Sequence, residues 1–145
     1  MPGPLIILDN SINSRLLWPD NQVPANNRYA LKVVRQAEQG SAFQVPTIWH
    51  YEAAQVACKL LKTGTVSQMD VFNYFNQLAL LPIDTDMESH GNTSRTTLAL
   101  GVQYNLSIYD AAYLELALRK GGVLATNDGQ LIGAAKAAGI ALLPR

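Results

Sequence analysis

The chain has 145 residues, 48% of them hydrophobic and 15% charged. That length fits one domain, residues 1–145, around its own hydrophobic core, and the composition excludes both a disordered polyelectrolyte and, with no apolar run near the roughly 18 residues required, a membrane-spanning helix. The 11 basic side chains are balanced by 11 acidic ones, which argues against a broad basic surface for gripping nucleic acid but leaves room for a nuclease whose positive charge arrives with bound metal.

Residues 5–8, Leu-Ile-Ile-Leu, form a short apolar run of strand-forming residues, as expected of a central parallel strand covered on both faces. It stops at Asp9-Asn10-Ser11, and a short helix to about Trp18 follows, broken by Pro19-Asp20. The polar stretch 21–27, which contains Pro24, reads as a loop. Tyr29, Val33, Val34 and Ala37 have helical spacing and predict a helix over 28–39, ended by Gly40. Residues 43–46 predict a brief strand, and 47–63 a helix closed by Gly64. A helix over 67–80 would present Val71, Phe72, Phe75, Leu78 and Ala79 to the core. A third strand at 81–84, helices over 94–104 and 108–120, a strand at 123–126, a helix at 130–138 and a last strand at 140–143 complete the chain. Alternating apolar strands and helices define an α/β domain with a mainly parallel sheet, whose ligands bind at the carboxyl edge. Cys58 is the single cysteine, offers no internal disulfide and reads as a buried inert thiol; with no leader-like pattern at the start, a cytoplasmic protein is expected.

Four acids stand out against this frame. Asp9 directly follows the first strand and Asp128 follows the strand at 123–126, so both fall at carboxyl ends of strands, where capping and turn formation are their plain structural uses. Glu52 shares an i, i+4 row with Ile48, Val56 and Leu60. A glutamate on a core-facing row is costly unless paired, protonated or bound to a cation, and no local Lys or Arg is placed to pair with it. The alternative is a slight rotation of the helix that carries Glu52 to the margin of the stripe. Asp110 opens the apolar face formed by Tyr113, Leu114, Ala117 and Leu118, where Ser107 to Asp110 also approximates a capping box. Several carboxylates brought together repel unless a cation neutralises them. Oxygen-only ligands suit Mg²⁺ or Mn²⁺, and the absence of paired cysteines and of an H-E-x-x-H motif argues against zinc.

Four segments in order, LIILDNS at 5–11, VPTIWHYEAAQVACKLLKTG at 45–64, YNLSIYDAAYLELALRKGG at 104–122 and VLATNDGQL at 123–131, resemble the PIN-domain nucleases, particularly the VapC-like toxin ribonucleases. The resemblance spans nearly the whole chain and implies a three-layer α/β/α fold with a parallel sheet of four to five strands in the order 3-2-1-4-5. It makes Asp9, Glu52 and Asp110 the core metal-site acids, Asp128 the more variable fourth, and Ser11 and Thr126 supporting hydroxyls. It further implies one or two Mg²⁺ or Mn²⁺ ions, an RNA substrate, a cognate antitoxin and a homodimer. Asn127-Asp128-Gly129 lacks the basic residue often found just after this acid, Arg15 reads as a solvated arginine, and Asp84, Asp86 and Glu88 read as capping or solvated acids after an edge strand. Two rival classes remain. A catalytically silent PIN-like scaffold would have no reason to tolerate the repulsion among the acids. A small-molecule phosphatase of the haloacid-dehalogenase kind needs a second Asp where Ser11 stands.

Overall fold

A computed structural model describes residues 2–88 and 90–145. Four short strands, β1 (Ile6–Leu8), β2 (Phe43–Val45), β3 (Ile83–Thr85) and β4 (Val123–Ala125), form one parallel sheet in the order β3-β2-β1-β4. β1 lies between β2 and β4, with Ile6 opposite both Phe43 and Val123, and all three of its residues are fully buried. This is why its sequence is uninterrupted Ile and Leu rather than alternating. The predicted fifth strand is reduced to one parallel bridge, Leu124 to Leu142, held by Leu124 N–H to Ala141 O and Leu143 N–H to Leu124 O, both 2.9 Å.

Among the described residues seven α-helices cover the sheet as two layers: α1 (Asn10–Leu17), α2 (Pro24–Arg35), α3 (Ile48–Lys62), α4 (Gln68–Ala79), α5 (His90–Tyr104), α6 (Ile108–Lys120) and α7 (Gly129–Ala137). α1 packs on α2, α3 and α4, while α6 packs on β1, β4, α5 and α7. The architecture is the three-layer α/β/α arrangement that the sequence predicts.

Four local expectations change. The stretch expected as a loop contains the start of α2, because Pro24 occupies the first helical turn, where its fixed φ suits the helix and its missing N–H costs nothing. On α4 the core-facing residues are Tyr74 and Leu78, while Phe72 (62% exposed), Phe75 (41%) and Ala79 face outward. The Tyr74 ring is pulled inward because its hydroxyl accepts a hydrogen bond from buried Asn13 Nδ2 at 2.8 Å. On α3 the fully buried row is Trp49, Ala53, Ala57 and Leu60, so Ile48, Glu52 and Val56 lie half-buried beside it. Trp49 sets that rotation by donating its indole N–H to Asn13 Oδ1 at 2.9 Å. Cys58, one residue past this row, is half-buried.

Candidate active site

Asp9 leaves β1 at its carboxyl end, its amide tied to Ala125 O of β4 at 3.1 Å. It occupies the N-cap position of α1, yet its side chain makes no cap bond. Instead Ser11 Oγ and Thr126 Oγ1 both donate to Asp9 Oδ2, at 2.6 and 2.7 Å. Among the described residues, Asp9 Oδ1 has no protein donor. The ordinary capping use therefore does not account for Asp9. Asp9 is 5% exposed. Burial holds its pKa above the usual aspartate value; the two hydroxyls lower it, and the charges of Asp110 and Asp128 raise it further.

Glu52 reaches the same region from α3, where Tyr113 Oη donates to its Oε1 at 2.5 Å. Burial raises the Glu52 carboxyl, the Tyr113 hydrogen bond lowers it, and the charges of Asp9 and Asp110 raise it. Tyr113 is itself fully buried, and burial together with the Asp9 and Glu52 charges pushes its phenol strongly upward, so it remains a hydrogen-bond donor. Asp110, in the first turn of α6, is raised by burial and by Asp128, and lowered by Ser107. Ser107 caps α6 by accepting from the Asp110 amide at 3.1 Å. Asp128 caps α7, accepting from Gln130 N at 3.0 Å.

Asp9 thus lies within electrostatic range of Asp110 and Asp128, Glu52 within range of Asp9 and Asp110, and among the described residues no Lys or Arg forms an ion pair with any of the four. The ion pairs found among the described residues are elsewhere, from Arg119 to Asp86 and Glu115. As placed, the acids stand apart: among the described residues, no three His, Cys, Asp or Glu side chains converge closely enough to hold a metal ion. Like charges with nothing of opposite sign between them gain by separating. Ligand chemistry and ligand placement therefore give different answers, since the all-oxygen donor set suits a hard divalent ion but the side chains must close in to chelate one.

Sequence reasoning missed several residues here. In the sequence Tyr113 counts only as part of an apolar face, although its position three residues after Asp110 on that face is a usable signal. Asn127 binds the loop together: its backbone N–H donates to Ser11 Oγ at 2.9 Å and its Nδ2 to Ser11 O at 3.3 Å. Arg15 lines a polar hollow of about 180 Å³ with Asp20, Asn26 and Asp128. Asp86 is a correction: it is buried and clasped by Arg119, which also holds Glu115, and this cation keeps the Asp86 carboxyl below the usual range.

No protein-family model matches the chain. It is 25% identical to ribonuclease VapC3 of Pyrobaculum aerophilum over 126 residues, covering 87% of this chain and 91% of that protein. Among solved structures it is similar to PAE2754 from the same organism, with a TM-score of 0.63 and 21% identity, covering 92% of this chain and 87% of that one. The second likeness is one of fold. No helix among the described residues is long and apolar enough to cross a membrane.

Proposed function

We propose that this protein is a PIN-domain endoribonuclease of the VapC-like kind, dependent on Mg²⁺ or Mn²⁺ and acting as the toxin of a toxin–antitoxin pair. One observation carries the reading. Asp9, Glu52 and Asp110 have carboxyls raised chiefly by burial and further by neighbouring acids, and among the described residues no basic side chain pairs with them. Structure alone gains nothing from such an arrangement, whereas a divalent cation does. The distant likeness to a VapC ribonuclease over most of both chains supports the same reading.

On this reading Asp9, Glu52 and Asp110 would hold one or two ions, with Asp128 as a further ligand. A bound divalent ion would make a water more acidic and offset charge on the phosphate. The chain's own groups do the positioning. The Ser11 and Thr126 hydroxyls fix Asp9 Oδ2 and leave Oδ1 available, and Tyr113 Oη fixes the Glu52 carboxylate. Water adds to phosphorus as the bond to the 3′ oxygen breaks, leaving 3′-hydroxyl and 5′-phosphate ends. An antitoxin would place a basic side chain where the ion acts, and a second copy of the chain would complete a homodimer.

The test is cleavage of RNA by the purified chain with Mg²⁺ or Mn²⁺. Chelation should stop it, and Asp9→Asn, Glu52→Gln and Asp110→Asn should each lower the rate at least about 100-fold, the scale expected when a stabiliser of transition-state charge is removed. Full metal-dependent activity in Asp110→Asn would refute the assignment. Release of phosphate from a small phosphoester without RNA cleavage would favour a phosphatase. Folded protein with no cleavage would favour a scaffold.

A further inference from the structure

Beside Glu52 opens a cleft of about 590 Å³, within the range of small-ligand sites, lined by Asn10, Ile48, Tyr51, Glu52, Gln55 and Tyr109 among others. Tyr51 is 75% exposed and Tyr109 61% exposed. Each immediately precedes a site acid, Tyr51 before Glu52 on α3 and Tyr109 before Asp110 on α6. Among the described residues, no lysine or arginine lines the cleft, and its walls are mainly apolar.

We propose that this cleft is a nucleobase subsite in which Tyr51 and Tyr109 stack an unpaired base of a single-stranded RNA beside the bond to be cut. The proposal rests on the ribonuclease reading and names the residues that would hold a base beside its site. The chemistry of the lining selects the occupant. A cleft without cations offers nothing to a phosphate, yet it suits the flat, neutral part of a nucleotide, leaving the charged part at the acids and their ion. Exposed aromatic rings on separate helices are the usual platform for bases of single strands, since every base has a π-face. Gln55 and Asn10 add amide groups able to meet a base edge. A base paired within a duplex cannot enter the cleft.

The experiment measures binding of a short single-stranded RNA carrying 2-aminopurine to the chain with Asp9→Asn, in Mg²⁺, with and without Tyr51→Ala, Tyr109→Ala and the tryptophan replacements. Both tyrosines are exposed, so the variants keep the fold, which circular dichroism checks. Stacking predicts quenched 2-aminopurine fluorescence and a Kd weakened about 5- to 150-fold by each alanine. It also predicts affinity restored by tryptophan, a salt dependence unchanged by the substitutions because no phosphate contact is lost, and weaker binding of the matching duplex. Unchanged RNA affinity in both alanine variants overturns the proposal. So does an alanine effect confined to self-association or to capture of a basic peptide, either of which gives the cleft to a protein partner. The two readings separate cleanly. Cleavage by the unmutated chain with unchanged affinity in the alanine variants removes the subsite alone, while stacked binding without any cleavage removes the nuclease alone.

Discussion

Asn13 offers the sharpest test of how the site is held. It lies one turn after Asp9 on α1, is fully buried, and bonds three partners: Nδ2 donates to Asn10 Oδ1 and to Tyr74 Oη, both at 2.8 Å, while Oδ1 accepts from Trp49 Nε1 at 2.9 Å. It therefore ties the helix that follows Asp9 to the helix that carries Glu52. Asn13→Ala leaves a buried indole N–H and a buried phenol hydroxyl without partners. At about 1–3 kcal/mol for each orphaned buried group, the loss is about 4 kcal/mol, with the vacated volume adding to it. For a chain of this size that lowers Tm by roughly 10–15 °C. Urea unfolding followed by tryptophan fluorescence measures it, and a double-mutant cycle isolates its origin. In a Trp49→Phe background the same substitution should cost about 1–2 kcal/mol less, since no indole N–H remains to be orphaned. A loss under about 1 kcal/mol, or strict additivity with Trp49→Phe, would refute the reasoning.

The raised carboxyls of Asp9, Glu52 and Asp110 mean that the folded, metal-free protein binds protons which the unfolded chain has released. Their contribution to stability is full below the ordinary carboxylate range of about 4 and is lost as pH rises through the raised values, so metal-free Tm should fall between mildly acid and neutral pH. Thermal melts across that window check this, and combining Asp9→Asn, Glu52→Gln and Asp110→Asn should flatten the slope. Arg119→Met strands two largely buried acids, Asp86 and Glu115, and should cost about 3 kcal/mol in urea unfolding, because breaking a buried pair leaves uncompensated charge. Asp86→Asn with Glu115→Gln in the same chain should recover most of that loss.

The strand-and-acid part of this site was open to reading from the sequence because it depends on local pattern. A run of Ile and Leu closed by Asp9, and another short strand closed by Thr126-Asn127-Asp128, place carboxylates at the carboxyl edge whatever else packs nearby. Helix rotation was not open in the same way. On α3 and α4 several apolar residues compete for the core, and the winners, Trp49 and Tyr74, were chosen by polar tips that find Asn13 on a different helix. That contact spans 61 residues for Tyr74 and 36 for Trp49, beyond the reach of any periodicity argument. The same applies to Tyr113, whose phenol meets Glu52 across 61 residues, and to Arg119, whose reach to Asp86 spans 33. Pro24 failed for a different reason: proline breaks helices in their interior but favours their first turn, and the polar residues around it gave no periodic signal to decide.

Calorimetric titration of the metal-free protein with Mn²⁺ bears most directly on the carboxylate site. Saturable binding is expected, accompanied by a rise in Tm and the closing-in of side chains that stand apart without the ion, with affinity at least about tenfold weaker in Asp9→Asn and Asp110→Asn. Absence of binding at millimolar Mn²⁺, or equal affinity in those two variants, would contradict the account.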